Sequence, residues 1–179
     1  MKIAERVPQR ISLSKNPFGH GPGSPLPHGV HLASDGVNFA LFSRHATRVW
    51  LLLFDSVDGV QPSQTIELDP SNNKTGDIWH VRVVGATRGL VYAFRVDGPF
   101  QPEQGHRFDA SKTLIDPYAT ALSSPRHLDF GAFCGPAQGA VARGGGLAPP
   151  ALLKCIVTDN GFDWEDDRPL HLPWSDLVI

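Results

Sequence analysis

The sequence predicts an all-β sandwich of about one hundred residues, followed by a Gly- and Pro-rich extension. Short runs have the composition or the period-two alternation of strands, turn formers recur about every ten residues, and no segment has convincing helical periodicity. The chain has 179 residues, of which 41% are hydrophobic and 19% charged, which is enough apolar material for one buried core.

The first predicted strands differ in how many of their faces are apolar. In residues 37–43, alternate apolar residues place one face toward a core. Residues 47–54 (TRVWLLLF) are apolar on both faces, which predicts a strand buried on both sides or covered by another domain. Residues 64–68 (QTIEL) alternate with polar residues and predict a short strand near an edge.

Residues 78–84 and 90–97 are predicted to be the central pair of strands. The five residues between them, GATRG, begin and end with glycine and predict a hairpin loop. In the second strand, one stripe is predicted to be core (Leu90, Tyr92, Phe94 and Val96) and the other to be half exposed (Val91, Ala93, Arg95 and Asp97).

The composition divides the chain into four parts. Residues 1–15 predict an N-terminal tail, residues 16–122 the sandwich, and residues 123–153 a Gly/Ala/Pro-rich linker. Residues 154–179 form a connecting segment, which begins with a strand-like run at 154–158.

Charge and cysteine usage limit the partners and the compartment. A net charge of −2 argues against a nucleic-acid partner, because such proteins draw much of their affinity from a basic face. Cys134 and Cys155 lie far apart and predict free thiols in a reducing compartment. The N-terminus lacks the apolar segment of a signal peptide, and no apolar run is long enough to span a membrane. We therefore expect a cytoplasmic protein without a membrane partner.

Motifs for chemistry do not stand out. The histidines of the first half, such as His20 and His45, lack metal-ligand spacing, and no phosphate loop or dinucleotide fingerprint is present, so we expect no metal and no cofactor. Several carboxylates, among them Glu103, Asp109 and Asp116, do not form a pattern that identifies a catalytic pair. An independent active site is not expected.

A sugar-binding surface is the better hypothesis. Aromatic rings stack on the apolar faces of pyranoses while neighbouring polar groups bond to hydroxyls. We predict stacking on Trp79 and Phe100 with polar contacts from His106 and Arg107. In the alternative, these residues are structural. Trp79 packs in a sheet or under a neighbouring domain, Phe108 plugs its loop into the core, and Arg107 ties the loop to Asp109 or Asp116.

Three motifs, in this order along the chain, resemble those of isoamylase-type glycogen debranching enzymes of the α-amylase superfamily. They are GVNFALFS at 36–43, VDGPFQPEQGHRF at 96–108 and LIDPYA at 114–119. The similarity covers residues 16–122 and 153–179, whereas residues 123–152 depart from the family by their Gly/Ala-rich composition. The resemblance implies an immunoglobulin-like sandwich of the kind found in the carbohydrate-binding modules of debranching and branching enzymes.

The resemblance also implies that residues 176–179 begin the first strand of a catalytic (β/α)8 barrel and that the chain is truncated before the rest of it. The catalytic Asp, Glu and second Asp of the family lie further on, so no catalytic residue is implied here. Without the barrel, we expect apolar surface at Trp50, Leu52 and Trp174 to be bare and to cause self-association.

The resemblance implies a function in glycogen catabolism. The chain is expected to be the N-terminal module of an α-1,6-glucosidase, which positions α-glucan and braces the catalytic barrel without catalysing hydrolysis itself. Two alternatives remain open, namely a stand-alone α-glucan-binding module with a targeting or regulatory role and a purely structural interdomain module without affinity for sugar.

Overall fold

A computed structural model describes residues 17–123, 153–159, 161 and 165–167. The strands, in chain order, are β1 (His20–Pro22), β2 (Gly29–Ala33), β3 (Gly36–Phe42), β4 (Arg48–Phe54), β5 (Gln64–Glu67), β6 (Lys74–Thr75), β7 (Ile78–Val84), β8 (Val91–Asp97), β9 (Phe100–Gln101), β10 (His106–Arg107) and β11 (Cys155–Ile156). A single 3-10 turn, Pro102–Gln104, is the helical element of this part of the chain. It is far too short to cross a membrane, and no described helix is long and apolar enough to do so.

The strands form two antiparallel sheets around one core, which confirms the predicted all-β sandwich. The first sheet has the order β1-β7-β3-β2, with β6 also paired to β7, and the second has the order β11-β8-β4-β5. Strands β9 and β10 form a separate two-stranded ribbon. The predictions for residues 1–15, for most of the linker, and for Cys134, Trp174 and residues 176–179 lie outside the described residues.

The alternation of apolar residues positions the main strands. Each of the five predicted strands is present within one residue of its predicted bounds. Val37 and Phe39 of β3 and Val49 and Leu51 of β4 face the same core, because successive strand residues point to opposite faces of a sheet. The short strands β1, β2, β6, β9 and β10 were not predicted, because they carry too little alternation to be distinguished from loops.

The predicted hairpin at residues 85–89 is wrong. Strands β7 and β8 do not pair, because β7 belongs to the first sheet and β8 to the second. The Gly85 N–H donates to Asp35 O (2.8 Å) in the first sheet's β2–β3 turn, and the Gly89 N–H donates to Val157 O (2.7 Å) next to β11. Both glycines have positive φ, at +78° and +88°, which suits a sharp crossing between layers. A five-residue turn with glycine at both ends fits a hairpin and a crossing between sheets alike. The core-facing residues of β7 and β8 are buried in the sandwich, so their apolar pattern does not distinguish the two connections.

Strand β11 extends the second sheet at its β8 edge. Cys155 pairs with Tyr92 and Ile156 with Val91, and an isolated bridge joins Leu122 to Cys155 on the other side of β11. The strand-like run predicted at residues 154–158 is thus confirmed, in shorter form. The sheet of the sandwich therefore includes residues beyond the predicted boundary at 122.

A second apolar cluster lies on the outer face of the second sheet. Leu52, Phe54, Val91 and Ala93 are buried there, with Trp50 and Val57 packed against them. The buried Lys154 donates from Nζ to Val57 O (2.8 Å) and lies 4.8 Å from the centroid of the Phe54 ring.

Two predictions for this outer face are wrong. Leu52 is fully buried, so it does not form the bare surface that was expected, whereas Trp50 is partly buried and keeps part of its ring exposed. Val91 and Ala93 are buried rather than half exposed, because the apolar rows of β4 and β8 lie side by side.

Candidate functional site

Three of the four predicted site residues come together on the β9–β10 ribbon. Phe100 pairs with Arg107 and Gln101 pairs with His106. Because paired residues of antiparallel strands project to the same side, the Phe100 ring and the Arg107 guanidinium share one face. The Phe100 side chain is 69% exposed, which is the largest exposure among the large hydrophobic residues described. An accessible aromatic ring beside a cationic donor is suited to a polar ligand with an apolar face.

The ribbon is held to the sandwich by the residues that flank it. The Phe108 ring packs over Gly98, where an added Cβ would lie 2.8 Å from the ring, so only glycine fits. Phe108 also packs against the main core. This agrees with the structural alternative, in which Phe108 plugs its loop into the core. The His106 ring lies 4.5 Å from the His45 ring, between centroids. The ribbon thus has an anchored face with His106 and an open face with Phe100.

A groove of about 330 Å³ lies beside the open face of the ribbon. Its lining combines apolar and polar side chains: Ser43, Val96, Gly105, Arg107, Phe108, Asp109, Lys112 and Leu114. The Asp109 carboxylate accepts hydrogen bonds from the Ser111 hydroxyl and from the Ser111 N–H (2.9 Å). These bonds, the hydroxyl's first, hold the pKa of Asp109 below its usual value. The groove therefore offers an ionised acceptor and cationic donors together with apolar lining residues.

Trp79, the fourth predicted residue, belongs to the core and not to this surface. It is 1% exposed, its Nε1–H donates to Ser43 O (3.1 Å), and Lys74 Nζ lies 4.7 Å from its ring centroid. A ring enclosed in this way cannot stack on a sugar, so the predicted stacking on Trp79 is corrected. The alternative, in which Trp79 packs in a sheet face, describes its position.

Asp116 is buried and organises the segment that follows the groove. Its carboxylate accepts hydrogen bonds from the Tyr92 hydroxyl (2.9 Å) and the Tyr118 N–H (2.8 Å), and its own N–H donates to Cys155 Sγ (3.1 Å). Burial raises the pKa of Asp116, although the hydrogen bonds from the Tyr118 N–H and the Tyr92 hydroxyl oppose the rise. Burial also raises the pKa of Tyr92, and it raises that of Cys155 to about 11. The hydrogen bonds of this cluster tie the segment around Asp116 to β8 and β11.

The expected tie between Arg107 and a carboxylate is not formed. In the described part of the chain the ion pairs join Arg44 to Asp77, Arg48 to Glu67 and Arg82 to Asp35. Asp109 is bonded to Ser111, and Asp116 to Tyr92 and Tyr118. The same described residues contain no group of three His, Cys, Asp or Glu side chains that could hold a metal ion.

Sequence reasoning missed Ser43, Lys112 and Leu114 as groove residues. Ser43 belongs to the β3–β4 connection and meets the loop after β8 only because the sandwich brings the two together. The Asp109–Ser111 turn carries a local signal, since Asp often accepts a hydrogen bond from a backbone N–H two residues on. That signal predicts a turn, however, and not a groove.

Two packed antiparallel sheets with an exposed aromatic ribbon beside a small groove define the protein as a β-sandwich module. Residues 27–119, more than half of the chain, match the family model described as carbohydrate-binding module 48 (isoamylase N-terminal domain), and the chain belongs to this family.

Relatives with this similarity are considerably longer than the chain. A glycogen debranching enzyme of Yersinia enterocolitica is 42% identical over 157 residues, which is 88% of this chain and 22% of that protein. A glycogen debranching enzyme of Yersinia pestis is 41% identical over the same shares. Among solved structures, a product complex of the multi-modular glycogen-degrading pneumococcal virulence factor SpuA is 16% identical over 78% of this chain and 12% of that chain, with a TM-score of 0.48.

Proposed function

We propose that the chain is the N-terminal module of a glycogen debranching enzyme and that it positions α-glucan on the open face of the β9–β10 ribbon. The observation that carries the proposal is the exposed Phe100 ring, 69% accessible, paired in register with Arg107. Membership of a carbohydrate-binding family and the names of the Yersinia relatives support α-glucan as the ligand. In this proposal the ring stacks on a glucose unit while Arg107 bonds to hydroxyls, and His106 anchors the other face of the ribbon.

The proposal assigns hydrolysis of α-1,6 linkages to a catalytic barrel domain and not to the module. The module braces that barrel, with the segment after the groove as its contact surface. Exposed apolar side chains at Tyr118 and Leu122 support this second role. A cytoplasmic location is part of the same proposal and is supported by the buried free thiol of Cys155. Fractionation of cells that express the chain would test it, and recovery outside the cytoplasm would contradict it.

Retention on insoluble glycogen tests the proposal. We expect the 179-residue chain to bind and the Phe100→Ala variant to bind about tenfold more weakly or worse, because stacking on an aromatic ring is lost. Phe42→Ala is the matched control, since Phe42 is 50% exposed on a different strand. The chain should release no reducing ends from branched glucan.

Each outcome has a distinct meaning. Equal binding by wild type and Phe100→Ala would reject Phe100 as the platform. Absence of binding by the wild type would favour the purely structural alternative, in which the module serves the barrel alone. Release of reducing ends by the pure chain would overturn the assignment of hydrolysis to a separate domain.

A further inference from the structure

The groove beside the ribbon contains groups that the proposed Phe100 platform does not use. Its lining combines the apolar side chains of Val96, Phe108 and Leu114 with polar ones such as Ser43 and Asp109. A pyranose ring has the complementary distribution, with apolar faces and a rim of hydroxyls. We propose that this groove is a second α-glucan subsite that continues the Phe100 surface, an inference that rests on the proposed function.

Arg107 connects the two surfaces. It is the register partner of Phe100 on the open face of the ribbon, and it also lines the groove. A glucan that stacks on Phe100 therefore passes the Arg107 guanidinium before it enters the groove. The two surfaces bind consecutive parts of one oligosaccharide and are not independent sites.

The groove carries charges of both signs, which suits a ligand that can both donate and accept hydrogen bonds. Arg107 and Lys112 bring positive charge, and the Asp109 carboxylate, which the Ser111 hydroxyl and N–H keep ionised, brings negative charge. Hydroxyl groups can donate to the carboxylate and accept from the cations. An uncharged polyol uses both kinds of group.

The size of the groove limits how much glucan it holds. At about 330 Å³ it lies at the small end of ligand pockets, which range from roughly 300 to 1,000 Å³. This space suits roughly one or two sugar rings and not a long stretch of chain. Affinity should therefore rise with oligosaccharide length until both surfaces are filled, and then level off.

Titration calorimetry of the 179-residue chain with maltose, maltotetraose and maltohexaose tests this subsite. We expect wild type to bind the longer oligosaccharides at least about fivefold more tightly than maltose. Ser43→Leu fills the groove without a change of charge and should abolish this gain while maltose binding on Phe100 is retained. Ser56→Leu places the same residue on an exposed turn away from the groove and should behave as wild type. Phe100→Ala should weaken binding at every length.

Methyl NMR provides a measurement that does not depend on a variant folding. The Leu114 methyls should shift with maltohexaose and much less with maltose, whereas those of Leu26, 61% exposed outside the groove, should stay unchanged. Equal affinity for all lengths in the wild type, or an unshifted Leu114, would overturn the subsite while a loss in Phe100→Ala would still uphold the proposed function. No glucan binding at all would overturn both.

Discussion

At the scale of single residues, buried polar groups rather than surface charges hold this sandwich in its arrangement. The three ion pairs found in the described residues are largely exposed, and pairs of this kind contribute little to stability. Asp116 and His80, in contrast, are 3% and 5% exposed and each bonds to a neighbouring segment. Because both side chains are buried, substitution or a change of pH at each should change the stability of the fold.

Asp116 is a hydrogen-bond acceptor whose charge is unfavourable. Burial raises its pKa in the folded state, so the ionised form costs stability as pH rises above the unfolded value of about 4. Asp116→Asn can accept from the Tyr118 N–H through its oxygen and donate to the Tyr92 hydroxyl through its nitrogen. We expect this variant to be at least as stable as wild type at pH 7 by denaturant unfolding. Asp116→Ala leaves the Tyr92 hydroxyl without its acceptor and should cost about 1–3 kcal/mol. Equal losses in both variants would contradict this account.

His80 should make folding sensitive to mild acid. Burial lowers its pKa in the folded state, and in the described part of the chain its Nδ1 has no hydrogen-bond partner. The stability that neutral His80 contributes is therefore fully present above the unfolded pKa of about 6.5. It falls as the pH drops below that value, because the unfolded chain binds the proton more readily than the folded chain. His80→Gln should show a smaller fall in Tm between pH 7 and pH 5 than wild type. The exposed His31→Gln should keep the full fall, and identical slopes for His80→Gln and wild type would rule out this role.

At the scale of elements, alternation predicted the strands but not their partners. The main strands could be found because β3 places alternate apolar residues in the core and β4 is a continuous apolar run of strand length. The β7–β8 connection could not be assigned, since the turn between Gly85 and Gly89 fits a hairpin and a sheet-to-sheet crossing equally well. The backbone bonds that decide the question involve Asp35 and Val157, which are distant in sequence.

In the candidate site too, residues close in sequence could be predicted together, whereas residues that meet only through packing could not. Phe100, His106 and Arg107 lie within eight consecutive residues, so a local pattern could place them together. Trp79 was misjudged because an aromatic residue in a strand has the same local signal whether it faces the core or the solvent. The groove needs Ser43 to meet the loop of residues 105–114, and only the packing of the two sheets brings that about.

The edge strand β11 should shield Cys155 from reagents. Cys155 is fully buried, and burial raises the pKa of its thiol to about 11, which leaves little thiolate at neutral pH. In a Cys134→Ser background, we expect Ellman's reagent to label Cys155 only as fast as β11 detaches, and at once after denaturation. Rapid labelling of the native chain at pH 7.5 would show that β11 does not stay paired with β8.

At the scale of the whole molecule, the two faces of the sandwich differ in what they leave accessible. The outer face of the second sheet buries its apolar cluster under groups such as Lys154, whereas the ribbon leaves Phe100 open beside a groove. We therefore expect the proposed glucan binding to take place at the ribbon. This division is the central claim, and it separates a glucan-binding module from a purely structural one.

Backbone NMR shifts on titration with maltoheptaose test that claim most directly. The account predicts that the largest amide shifts fall on residues 99–108 and on the groove around Ser43 and Leu114, with Trp50 and Ala93 unchanged. Shifts concentrated on the outer face of the second sheet, or no shifts at saturating oligosaccharide, would contradict it.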